Sequence, residues 1–220
     1  MSLPHLSEST EMYLKAMAEL SDGEVVAIGR LAERLDVTPV SANEMVKRLD
    51  EQGLVSHTPY KGVNLTRKGR QAASSVVRRQ RLWECFLYRH LKIEWSQVYE
   101  LACSLEHATA SEVTEALAEF LGHPATCPHG NLIPAADGSC APLIGKRLSD
   151  AAMGSAVRVL AVRATETPVL KYLQERDILP GREVTVLEAA PMDGPLTLEV
   201  EGNRVALGLL LSNCVIVETI

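Results

Sequence analysis

No apolar run in this chain of 220 residues reaches the roughly 18 that a membrane-crossing helix needs. The stretch Met1 to Leu20 lacks a basic head followed by an apolar segment, so no secretory leader is expected. There is no phosphate-cradling glycine loop, no serine nucleophile elbow and no pair of acids at catalytic spacing, which argues against an enzyme and against a small organic substrate. Long repeats and low-complexity tracts are absent too. Cysteine is sparse: Cys85, Cys103, Cys127, Cys140 and Cys214 make five, an odd number at irregular spacing. That is a poor disulfide framework, and it points to a reduced, cytoplasmic setting in which cysteine chemistry means metal binding.

What is present is a charge asymmetry. The net charge is −6, yet Arg30 to Arg81 holds eleven Lys and Arg against five Asp and Glu, a local balance of +6. The remainder sums to −12. A basic segment on an acidic chain is the electrostatic footprint of a DNA-binding module, or else simply a solvated basic surface.

Hydrophobic periodicity divides the chain. Residues 8–20 and 26–35 carry apolar positions at helical spacing. After Asp36-Val37, Thr38 and Pro39 open a third helix to about Gln52, with Thr38 as cap, Val40, Met45, Val46 and Leu49 as the expected buried face, and Gly53 as the stop. Two helices across a tight break describe a helix-turn-helix. The β-like runs around Tyr60-Lys61-Gly62 add a hairpin, giving a winged helix. A long helix follows over about 66–91, then helices near 95–107 and 110–121, a layer suited to dimerisation. Residues 122–150, rich in proline and glycine, read as a linker. From about 151 the texture becomes β, with turns at Asp193-Gly194 and Gly202-Asn203 and one helix over 167–175, the pattern of a small SH3-like barrel. The expected fold is mainly α with a C-terminal all-β domain: winged helix-turn-helix 1–72, helical dimerisation and metal-binding domain 73–140, SH3-like domain 150–220.

Cys103, Glu106 and His107 occupy positions i, i+3 and i+4 and so share one helical face. Thiolate, carboxylate and imidazole within one turn suit a divalent transition metal and not magnesium or calcium. The alternative is a half-buried cysteine beside a surface Glu-His pair. Cys127-Pro128-His129 is a second cluster, too small alone to complete a shell, and Glu84 on the long helix is a third ligand candidate. The alternative there is a turn with incidental polar side chains.

Taken together, TEMYL at residues 10–14, VTPVSANEMVKRLDEQGLV, YKGVNLTRKG and ACSLEHATASEV resemble the diphtheria-toxin-repressor family of iron- and manganese-dependent regulators. CPHGNLIP is similar to that family's linker, and the last 70 or so residues to the FeoA domain that many members carry. The resemblance implies two metal sites per subunit. One comprises Met12, Cys103, Glu106 and His107, whose sulfur ligands favour iron(II) while leaving manganese(II) open. The second departs from the iron-repressor pattern, because Gln80 and Tyr99 stand where histidines are expected. A family variant builds that site from Glu84, Cys127 and His129, with Glu166 as the candidate fourth ligand.

The implied function is repression, with a homodimer binding operator DNA when metal fixes the reading heads at the half-site spacing. Thr38, Pro39, Ser41, Ala42 and Asn43 are expected to reach base edges, and Lys47 and Arg48 phosphates. Tyr60, Lys61 and Asn64 in the wing, with Arg67 and Lys68, would add backbone contacts. Three rival readings stay open: a winged-helix regulator governed by an organic ligand or by oxidation of Cys103, an adaptor that docks through its FeoA-like domain, and a catalytic metal site.

Overall fold

The computed structural model describes residues 6–21, 25–59 and 61–220. It divides into two compact units, Met1–Arg79 with Pro134–Cys140, and Gln80–Ile133 with Ala141–Ile220.

In the first unit, α1 (Glu8–Leu20) is capped by Ser7, whose hydroxyl accepts from the Thr10 amide at 3.3 Å. Its buried face is Tyr13, Leu14, Ala16 and Met17. Then come α2 (Ile28–Arg34) and α3 (Pro39–Glu51). Thr38 caps α3, accepting from the Ser41 amide at 3.1 Å, and Pro39 sits in the first turn, as expected. Ala42, Val46 and Leu49, spaced i, i+4 and i+7, set the phase of α3 and are fully buried. Val40 therefore points outward, 69 % exposed, against the expectation that it is core. The strands β1 (Val55–Thr58) and β2 (Gly62–Leu65) pair antiparallel, and Val26 bridges to Val63 as a short third edge. Gly62 is required where it stands. Its φ is 117°, and a Cβ would overlap the Val26 carbonyl oxygen. Thr66 caps α4 (Arg67–Arg89), accepting from the Gly69 amide at 3.1 Å. A salt bridge of 2.6 Å joins Arg79 on α4 to Glu11 on α1.

The second unit contains the rest of α4, then α5 (Val98–Glu106) and α6 (Ser111–Phe120). A six-stranded antiparallel sheet follows. It comprises β3 (Lys146–Arg147), β4 (Ala156–Val162), β5 (Glu183–Ala189), β6 (Leu196–Val200), β7 (Asn203–Leu207) and β8 (Val215–Thr219), in the order β3-β8-β4-β5-β6-β7. Register shifts interrupt the pairing in β4 and β5. The helix expected over 167–175 is α7 (Thr167–Gln174). A further helix, α8 (Leu209–Asn213), and the strand β7 fall outside the sequence expectation. β7 buries only Leu207 and so lacks the alternation that marks a strand. Leu148, Leu170, Leu173, Ile178, Leu198 and Leu207 fill the sheet core, and Trp95, from the segment before α5, inserts into the same core.

Candidate metal centre and nucleic-acid face

Gln80 and Glu84 lie one turn apart on α4 and face inward, each 2 % exposed. The partner segment is the stretch expected to be a linker, and it is not free chain. The Cys127 amide donates to Asn131 O at 2.9 Å, the Gly130 amide to Cys127 O at 2.9 Å, and Thr126 bridges to Leu132. The loop is also fastened to the end of β4, where the Val162 amide donates to His129 O at 2.8 Å and Asn131 Nδ2 to Val162 O at 2.9 Å. Gly130, at φ 81°, lies so close to β4 that a Cβ would overlap the Leu160 carbonyl oxygen. This strapping carries Cys127 and His129 into the interior, 4 % and 2 % exposed.

The result is a group of three side chains that could hold a metal. One carboxylate oxygen of Glu84, Cys127 Sγ and a ring nitrogen of His129 all lie within 4.8 Å of one another, and all three residues are buried. His129 Nδ1 is 3.0 Å from Glu84 Oε2, and its Nε2 is 3.0 Å from the Trp95 carbonyl oxygen. A carbonyl oxygen only accepts, so Nε2 carries a proton and Nδ1 is the nitrogen turned toward Glu84. That second bond would orient the imidazole for ligation. Gln80 Nε2 donates to Glu84 Oε1 at 2.8 Å.

Electrostatics fit the donor set. Burial would raise the Glu84 carboxyl. The His129 charge, hydrogen bonds from His129 and Cys127, and Arg81 outweigh it and hold the carboxyl below its ordinary value. Burial, reinforced by the charge of Glu84, pushes the Cys127 thiol well above its ordinary value. The group thus combines a carboxylate with a protonated thiol, which would have to lose its proton to ligate a metal.

Glu166 is not in this group. It is exposed at the start of α7, and its Oε2 accepts from the Thr165 amide at 3.2 Å. Its charge bears instead on Cys214, whose thiol is raised by burial first and by Glu166 second.

The other expected ligands are distributed as follows. α5 ends at Glu106, with His107 as its cap residue. Glu106 is fully buried, and His107 Nε2 is 3.2 Å from Glu106 Oε1. Cys103 is half-buried one turn earlier. Met12 lies on α1 in the first unit, 37 % exposed.

On the nucleic-acid face, Thr38, Pro39, Ser41, Lys47, Arg48, Lys61 and Asn64 are exposed and Asn43 is half-buried. The Thr38 and Ser41 hydroxyls are 2.9 Å apart, so the cap and the exposed edge use the same groups. Ala42 drops out as a base reader. It is 0 % exposed, packed in the core of its unit by the phase of α3. Val40 takes the outward position, a residue that sequence reasoning assigned to the core because it is apolar. Tyr60 lies outside the described residues. An open cleft of about 510 Å³ runs between the start of α2, α3 and the wing, lined by Asn43, Lys47, His57 and Lys61 among others. In the sequence, His57 is marked only by its place just before the wing turn.

Three family descriptions match in order: "Iron dependent repressor, N-terminal DNA binding domain" over residues 5–63, "Iron dependent repressor, metal binding and dimerisation domain" over 66–135, and "FeoA domain" over 146–219. The diphtheria toxin repressor of Corynebacterium diphtheriae is 32 % identical over 213 residues, 92 % of this chain and 93 % of that one. The iron-dependent repressor IdeR of Mycobacterium tuberculosis is 31 % identical over 212 residues, 90 % of this chain and 91 % of its own. Among solved structures, a manganese-dependent transcriptional repressor in complex with manganese superposes with a TM-score of 0.88 at 31 % identity, covering 96 % of this chain and all of that one. The manganese regulator SloR superposes at 0.83 and 30 % identity, covering 96 % of this chain and 98 % of SloR.

Proposed function

Because this chain belongs to the iron-dependent repressor family of the diphtheria toxin repressor, we propose that it binds double-stranded operator DNA as a homodimer in the cytoplasm and that iron(II), or else manganese(II), switches this binding on. The family consists of metal-dependent transcriptional repressors, not enzymes. Among the described residues no helix is long and apolar enough to cross a membrane.

The observation that carries the reading is the buried convergence of Glu84, Cys127 and His129. Removing three polar groups of this kind from water is costly unless something satisfies them together. A thiolate, an imidazole and a carboxylate are a fitting donor set for a first-row divalent metal and a poor one for magnesium or calcium. A bound metal supplies a fixed positive centre on which these side chains converge. Glu84 brings the negative charge, His129 offers Nδ1 while Trp95 holds the far side of its ring, and Cys127 gives up its proton. Cys103, Glu106 and His107 are proposed as the second set, with Met12 as the ligand that the family resemblance adds. The exposure of Glu166 speaks against it as a fourth ligand to Glu84, Cys127 and His129, so that site is proposed with three protein ligands.

For DNA, Thr38, Pro39, Val40, Ser41 and Asn43 are proposed to face base edges, with the Val40 side chain against a thymine methyl. Lys47, Arg48, Tyr60, Lys61 and Asn64, joined by His57, are proposed to take phosphates.

The test is a duplex enriched by the full-length protein from a random pool, assayed anaerobically with iron(II), manganese(II), zinc or chelator. Binding that requires iron(II) or manganese(II) and disappears with chelator is the expected result. Equal binding in chelator, or activation by an oxidant alone, contradicts it and favours the redox reading.

A further inference from the structure

Gln80 stands where a ligand was expected, and its surroundings give it a different task. Its side chain and that of Glu84 are equally inaccessible, so neither polar group is satisfied by bulk water. Gln80 Nε2 donates to Glu84 Oε1 at 2.8 Å, while the other oxygen, Oε2, faces His129 Nδ1 at 3.0 Å. The two oxygens of one carboxylate are thus divided. One is tied back along α4 by a neutral amide, and the other faces His129, a member of the buried group with Cys127.

This division has a chemical consequence. A carboxylate with both oxygens free can chelate a cation through both and raise its coordination number. A carboxylate with one oxygen engaged by a buried donor offers that oxygen less readily and binds more easily through the other. We infer that Gln80 is a positioning residue for this centre, holding Glu84 as a one-oxygen ligand and thereby favouring low coordination by Cys127, His129 and Glu84. The inference rests on the reading that these three residues hold the metal. It converts the departure at position 80 from a lost ligand into an orienting donor, the role that hydrogen-bonding partners play around metal ligands generally. A low coordination number suits metals that accept thiolate and imidazole in a small shell and disfavours those that demand six oxygen-type ligands. Gln80 therefore also bears on which metal the site selects.

The experiment uses cobalt(II) as an optical probe in the full-length C103S protein, where the only expected cysteine ligand is Cys127. A near-ultraviolet sulfur-to-cobalt band and strong visible bands are expected, signatures of thiolate ligation and a small shell. Replacing Gln80 by methionine in that background (Q80M) keeps the volume and removes the amide. The visible bands then weaken as Glu84 swings to two-oxygen binding, and affinity, measured by competition with a chromophoric chelator, falls about 10- to 100-fold. Unchanged bands and affinity in Q80M overturn the inference and leave the metal reading standing. Absence of the sulfur band in C103S sinks the metal reading itself, and the inference with it. A second measurement needs no variant at position 80. In ¹⁵N-glutamine-labelled wild-type protein the Gln80 side-chain amide protons should stay slow to exchange before and after zinc loading, and fast exchange in the loaded form contradicts the inference.

Discussion

The Trp95 indole lies against the His129 imidazole, with ring centroids 4.6 Å apart and planes at 57°. The same tryptophan packs in the core of the sheet, donates from Nε1 to Pro128 O at 2.8 Å, and accepts His129 Nε2 on its own carbonyl. One residue therefore joins the Cys127–Asn131 loop, the start of the α5 segment and the FeoA-like sheet. Trp83 is the only other tryptophan. In W83F protein, metal loading should change Trp95 emission, and H129A should abolish the change. A response that persists in H129A shows that Trp95 senses something else.

Metal binding should release protons. Cys127 is held well above its ordinary value, so at neutral pH it carries a proton that ligation must remove. Apparent affinity should rise with pH, about tenfold per unit for each proton released. Calorimetry in two buffers of different ionisation enthalpy counts those protons. Zero release contradicts Cys127 as a ligand.

Glu84 is the structural keystone of the same group. Truncating one member of a buried hydrogen-bonded pair strands the other, and E84A should destabilise the metal-free protein by about 3–5 kcal/mol. The pH dependence follows from the direction of its shift. The folded-state carboxyl lies below 4.5, so its contribution is whole above pH 4.5 and is lost as pH falls through the lower folded value. Denaturant midpoints across that range, compared for wild type and E84A, test it. An identical acid limb in the two proteins would contradict the assignment.

The sequence made much of this legible and some of it not. Thr38 and Pro39 announce the start of α3 through local chemistry, and the structure places both at its cap and first turn. Val40 and Ala42 read as exchanged in the sequence because side-chain size masks helical phase. Ala42, Val46 and Leu49 define the phase, and it turns the larger residue outward. The Cys127–Asn131 loop reads as spacer because its prolines and glycines are local signals. The bonds that bury it run to Val162 and Trp95, far along the chain, where no periodicity marks them. Gln80 reads as a lost ligand for a similar reason, since its partner is the second oxygen of a residue already assigned a role.

Gly130 is where that loop depends on a missing side chain. G130A requires a positive φ from an L residue and forces a Cβ into the Leu160 carbonyl. It should cost more than about 1 kcal/mol and lower metal affinity by displacing His129. Wild-type stability with wild-type affinity would show that the loop tolerates a different path.

On the DNA face, Lys61 is exposed on the wing and lines the cleft beside α3. K61A should weaken binding to every duplex and reduce the salt slope by roughly one unit. V40A should instead lose discrimination at one base pair, costing about 1–3 kcal/mol there. Anisotropy titrations over a salt series on matched and mismatched duplexes separate the two, and a base-specific loss in K61A would contradict its assignment to phosphate.

The most direct measurement is an anomalous difference map from crystals of the full-length protein grown anaerobically with iron(II) or manganese(II), collected at the absorption edge of the metal. The account predicts a peak about 2.0–2.4 Å from Glu84 Oε2, Cys127 Sγ and His129 Nδ1 together. A map with metal bound elsewhere and nothing between these three side chains would contradict it.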